Sequence, residues 1–153
     1  MDMKRTYRLT TLLIVSICCI LVSNHAQADN NRPVTLKQMP ATAQQLIVKH
    51  FPSAEIMLST VEGYMFDKNY DVVFKNGDKI EFNRTGEWTS VNCKGGIPAG
   101  IVPEQIAGHV QAQYPGVKII GIEKDDRHYE VKLSNRVELT FNSAFKLVEA
   151  DFD

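Results

Sequence analysis

The chain predicts an α+β fold: two tandem helix-plus-antiparallel-meander repeats that form a shared sheet with both helices on one face. Three observations predict it. Val72-Val73-Phe74 through Ile80-Glu81-Phe82-Asn83 reappear 59 positions later as Val131-Lys132-Leu133 through Leu139-Thr140-Phe141-Asn142, with Tyr70 falling on Tyr129. Upstream, Met39-Pro40 with Phe51-Pro52 reappears 63 positions later as Val102-Pro103 with Tyr114-Pro115. Within each copy, helical spacing of apolar residues gives way to strict alternation. A repeat of this period marks two copies of one supersecondary unit.

The elements follow in order. Pro40 suits the first turn of a helix, where a missing N–H costs nothing. Ala43, Leu46, Ile47, His50 and Phe51 then recur on one helical face, and Pro52 disfavours helical geometry at Phe51. A helix this short needs its apolar stripe packed on something. Ile56 to Val61 is a first strand and Asp67-Lys68-Asn69 a turn. Tyr70, Val72 and Phe74 alternate with Asp71, Val73 and Lys75 as a half-buried strand. Asn76-Gly77 predicts a type I′ hairpin, with φ above zero at both central positions. Lys79, Glu81 and Asn83 alternate with Ile80 and Phe82. Thr85-Gly86 turns the chain into a strand through Trp88. The second copy repeats the grammar. Pro103 and Glu104 open a helix lined by Ile106, Val110 and Tyr114. Val117 to Glu123 is a strand, Asp125-Asp126-Arg127 a turn, and Lys146 to Ala150 the last strand. Two turn glycines are lost, Gly77 becoming Arg136 and Gly86 becoming Phe145, so those hairpins use other turn types or Asn135 carries the positive φ itself.

The resulting organisation is a secretory signal peptide over 1–28, a flexible lead-in over 29–38, repeats over 39–92 and 102–153, and a linker over 93–101. The signal rests on basic Lys4, Arg5 and Arg8, an apolar core from Leu12 to Val22, and the small-x-small site Ala26-Gln27-Ala28. A lipoprotein signal through Cys18 or Cys19 fits less well, because apolar residues follow both. The expected location is periplasmic or secreted, with the mature chain starting near Asp29 and no membrane insertion afterwards. Of 153 residues, 17 are Lys or Arg and 18 Asp or Glu; loss of three basics and Asp2 leaves a net charge of −3. No basic excess exists to attract nucleic acid. Cys93 alone remains of three cysteines, which excludes an intrachain disulfide, and stability must come from the core. The mature length suffices for one compact domain, expected to be a monomer.

The motif series resembles a known family. Tyr70-Asp71-Val72, then Ile80-Glu81-Phe82-Asn83-Arg84-Thr85-Gly86-Glu87-Trp88, then the Pro98 to Ile106 linker and helix, is similar to the tandem PepSY-like domains of secreted and periplasmic proteins in Bacteroides-type bacteria. The match runs from about Met39 to Phe152. It implies a fold like that of beta-lactamase inhibitor proteins and a binding or inhibitory role, since related PepSY domains occur in peptidase propeptides. It supplies no catalytic residues.

The residues themselves offer little chemistry. Cys93 has Lys94 beside it but no base in sequence. His50, His109 and His128 share no ligand spacing, so neither a metal nor a cofactor is expected. Asp67-x-Asn69-x-Asp71 opens like a calcium loop, yet Val72 stands where glycine must turn the chain. Enzyme activity is therefore not expected. The candidate binding face is the outward half of the alternation: Asp71, Val73, Lys75, Lys79, Glu81, Glu130, Lys132 and Glu138, with Thr140. Trp88 and Tyr64 are candidate aromatic hot spots, although Trp88 reads first as a core residue because Leu147 holds its place in the second copy. The expected function is a non-enzymatic binding module, inhibitory toward a protein or peptidase partner. The alternative is an envelope structural or stress protein without a dedicated pocket.

Overall fold

The computed structural model describes residues 31–64 and 67–152. The export signal read in residues 1–28 lies outside them, as do Asp29, Asn30 and Asp153. The first proline of each repeated helix motif sits at an N-cap, Pro40 with φ −56° and Pro103 with φ −52°. They start α1 (Ala41–His50) and α2 (Glu104–Gln113). Phe51 and Tyr114 leave helical geometry at φ −128° and −130°, as the following prolines require. Neither described helix is long and apolar enough to cross a membrane.

The strands form one antiparallel sheet in simple chain order: β1 (Arg32–Pro33), β2 (Ile56–Glu62), β3 (Asn69–Phe74), β4 (Lys79–Phe82), β5 (Trp88–Asn92), β6 (Ile119–Lys124), β7 (His128–Leu133), β8 (Val137–Asn142) and β9 (Leu147–Phe152). The join between halves is β5 against β6, with Val91 opposite Ile122. Apolar positions of the alternation turn inward. Val72, Phe74, Ile80, Phe82, Val91, Ile122, Val131, Leu133, Leu139 and Phe141 are buried in one cluster with Ala43 and Ile47 of α1 and Ile106 and Val110 of α2. Phe51 stacks on Phe74 at 5.0 Å, and His109 meets Phe141 edge-on at 5.3 Å. His109 is thus half-buried against an aromatic ring.

Three expectations need correction. The lead-in has structure: Arg32 and Pro33 pair with Val61 and Thr60, and Leu36–Gln38 forms a 3-10 turn. Asn76-Gly77 is not a type I′ turn. The Gly77 N–H donates to Phe74 O and the Phe74 N–H to Asp78 O, both at 2.9 Å, and in this loop only Gly77 has positive φ, at 86°. That is a three-residue loop ending in a left-handed residue. In the second half, Arg136 at φ 69° and Phe145 at φ 58° take the left-handed position themselves, and Asn135 does not. The donors are unchanged: Arg136 N–H to Leu133 O at 3.1 Å and Phe145 N–H to Asn142 O at 2.9 Å. The β4–β5 and β8–β9 loops are also braced by an asparagine side chain. Asn83 Oδ1 accepts from the N–H groups of Thr85 and Glu87, and Asn142 Oδ1 from those of Ala144 and Lys146, each at 3.0 Å.

Candidate functional site

Register decides which outward residues meet. One row crosses the sheet as Thr60, Asp71, Glu81, Ser90, Glu123, Glu130, Thr140 and Glu149, each directly opposite the next on neighbouring strands. The adjacent row runs Leu58, Val73, Lys79, Asn92, Gly121, Lys132, Glu138 and Asp151. These residues alternate with the buried cluster and so occupy the opposite face of the sheet.

The sheet brings together Asp71, Val73, Lys79, Glu81, Glu130, Lys132, Glu138 and Thr140 of the sequence-read face. Lys75 stands apart: it lies beyond the end of β3 and forms an ion pair with Glu55. The rows add Glu123, Glu149 and Asp151, which sequence reading did not assign to the face. A signal existed in the alternation of Glu149 with Asp151. What was missing was the partner across β5–β6 and β8–β9, which only the register supplies. Tyr64 is exposed. Trp88 is half-buried against the core, and Lys124 Nζ sits 4.6 Å from its ring centroid, so the ring supports the core and a cation more than the open face.

The electrostatics are lopsided. The two rows carry seven carboxylates against Lys79 and Lys132. Lys79 Nζ lies 2.7 Å from Glu81 and 3.7 Å from Asp71, and its hydrogen bond to Glu81 raises the lysine pKa above its ordinary value. Burial raises the Asp71 carboxyl above the ordinary value, against the pull of Lys79. Lys132 Nζ reaches Glu138 at 3.5 Å. Glu123 and Glu130 face each other directly, and among the described residues no lysine or arginine pairs with either. Like charges directly opposed on a sheet are destabilising. Strands β6 to β9 hold five of the carboxylates and one lysine, so the excess lies in the second half.

Cys93 is 2% exposed, and burial, reinforced by the Asp78 carboxylate, pushes its thiol up to about 12. A nucleophilic cysteine needs the opposite shift. Among the described residues, no three His, Cys, Asp or Glu side chains gather where they could hold a metal ion. A separate groove of about 670 Å³ lies between the 95–102 linker and α2, its lining including Ile97, Pro98, Val102, Val110, Tyr114 and Val117.

Residues 68–149 match the family described as beta-lactamase-inhibitor-like, PepSY-like. A candidate periplasmic protein of Bacteroides vulgatus from the DUF2874 family is 44% identical, with TM-score 0.78, over 81% of this chain and 98% of its own. A candidate calcium-regulated periplasmic protein of Bacteroides thetaiotaomicron is 42% identical, with TM-score 0.77, over 81% and 98%. A second candidate periplasmic protein of Bacteroides vulgatus, of unknown function, is 28% identical with TM-score 0.73, over 79% and 98%. No curated protein matches the chain.

Proposed function

The chain belongs to the PepSY-like family, and from that membership and the acidic sheet face we propose that it is a non-enzymatic binding module exported to the periplasm. Its ligand is a protein or peptide held on the open sheet face, and the mode is inhibitory. In this reading the scaffold is two copies of one helix-plus-meander unit, with both helices on the side of the sheet away from the partner. The description of the similar proteins as candidate periplasmic proteins supports export.

The observation that carries the reading is the opposition of Glu123 and Glu130, with no lysine or arginine paired to either among the described residues. A face kept only for solubility is served as well by alternating signs, which stabilise cross-strand pairs by ~0.2–1 kcal/mol each. Retained repulsion fits a face whose compensation arrives with a basic partner.

The test is a variant carrying Glu81→Lys and Glu130→Lys. Both side chains sit on the solvent side of the sheet, so the melting temperature should hold. Capture of the native partner from periplasmic extract should fall. Capture at the wild-type level would refute the sheet face as the binding surface.

A further inference from the structure

Strand β9 ends the sheet: among the described residues it pairs with β8 on one side and with no strand on the other. Strand β5 shows how such a position is filled elsewhere in the molecule. Its outer edge takes β6 antiparallel, Ser90 opposite Glu123, Val91 opposite Ile122 and Asn92 opposite Gly121. The inward Val91 is buried there, and the outward Ser90 and Asn92 are neutral.

The 59-residue offset places Ser90, Val91, Asn92 and Cys93 on Glu149, Ala150, Asp151 and Phe152. The chemistry changes on both faces at once. Buried Cys93 is replaced by Phe152, which is 72% exposed, with Leu147 and Val148 exposed on the same strand. The neutral outward pair is replaced by two carboxylates, opposite Thr140 and Glu138. A register shift at Val148 interrupts pairing once, and Glu149 to Phe152 then run in regular register.

We propose that β9 is a docking edge for an extended segment of another protein, added antiparallel as one more strand. The segment alternates apolar residues, on the helix side, with lysine or arginine, on the acidic side. This rests on the reading that the sheet holds a protein or peptide partner, and it assigns the edge and the chemistry. Unpaired N–H and C=O groups of an edge select a strand. Exposed Leu147 and Phe152 select apolar neighbours, and Glu149 and Asp151 select cations. A second copy of β9 would instead bring the same carboxylates against each other. The opposite edge differs, because β1 covers part of β2 and its Pro33 has no N–H to offer a further strand.

The test uses the protein purified from periplasm and a short capped peptide alternating lysine and valine. Bound peptide should slow amide exchange at 147–152 by about tenfold or more. Glu149→Lys with Asp151→Lys should weaken binding about tenfold at an unchanged melting temperature. The same peptide with a central proline should bind about tenfold more weakly, because it cannot complete the ladder. Equal binding of the proline peptide, protection at Ile56–Glu62 instead, or no binding would overturn the proposal. So would a concentration-dependent dimer that protects 147–152 without peptide, since a second copy would then own the edge. If these results go against the edge while Glu81→Lys with Glu130→Lys still abolishes native capture, the edge assignment fails and the sheet-face reading stands.

Discussion

Gly86 and Gly77 share a backbone conformation and differ in what surrounds them, which makes a matched pair of substitutions informative. Gly86 has φ 84° and Gly77 has φ 86°. A Cβ at Gly77 would meet only the end of the Lys94 side chain, at 3.6 Å. A Cβ at Gly86 would lie 2.7 Å from Pro40 Cβ and 2.9 Å from the Ala43 backbone nitrogen, at the start of α1. Neither a proline ring nor a helical backbone can swing aside. Left-handed geometry costs an L-residue about 1 kcal/mol in both places. Loss of glycine freedom in the unfolded chain returns about 0.5 kcal/mol. Gly77→Ala should therefore cost about 0.5–1 kcal/mol. At Gly86 forced overlap adds about 1–3 kcal/mol, for a total near 1.5–4 kcal/mol.

Equilibrium urea unfolding read by Trp88, the only tryptophan, measures both variants. With a urea slope of about 2 kcal/mol per molar, Gly86→Ala should lower the midpoint by about 1–2 M and Gly77→Ala by well under 1 M. Equal midpoints would refute the argument that α1 packs directly on the β4–β5 loop. They would leave positive φ as the whole reason for glycine at that position.

Two further predictions use the same geometry. Arg136 is exposed and its φ of 69° is strained for a side chain, so Arg136→Gly should raise stability by about 0.5–1 kcal/mol in the same urea assay; a loss would contradict the strain. Cys93 is buried, with its thiol pushed up to about 12, so native protein at pH 8 should resist thiol reagents. Labelling should then track unfolding in urea, and rapid stoichiometric labelling of native protein would contradict the burial.

Sequence patterning reached the fold wherever a rule acts locally. The alternation at Tyr70, Val72 and Phe74 orients β3 without any partner, and Phe51-Pro52 ends a helix by itself. It misjudged places where a third residue decides. Asn-Gly reads as a two-residue turn until the Gly77 N–H to Phe74 O bond shows that Lys75 belongs to the loop. Arg136 and Phe145 carry no turn signal, yet the same backbone donors hold each left-handed residue, and at Phe145 the asparagine brace of Asn142 adds to them. Phe145 is further held by its ring, 5.3 Å from that of Tyr129. The candidate face was legible as separate strand alternations. Its continuity was not, because it depends on long-range register such as Ser90 opposite Glu123. The mixed-charge face read from single strands became a predominantly acidic one once Glu123, Glu149 and Asp151 joined it.

The distribution of that acidity ties the two proposals together. In the first half, two carboxylates share Lys79, and the edge beyond β5 is closed by β6. In the second half, five carboxylates of the face have only Lys132 among the described residues, and among these no strand pairs beyond β9, which carries exposed Leu147, Val148 and Phe152. Solubility alone would favour charge without an adjacent apolar strip, because an open edge with apolar neighbours invites aggregation. Stability alone would favour a lysine between Glu123 and Glu130. A basic, apolar strand arriving at β9 satisfies the edge, covers the strip and lowers the repulsion on the same half of the sheet.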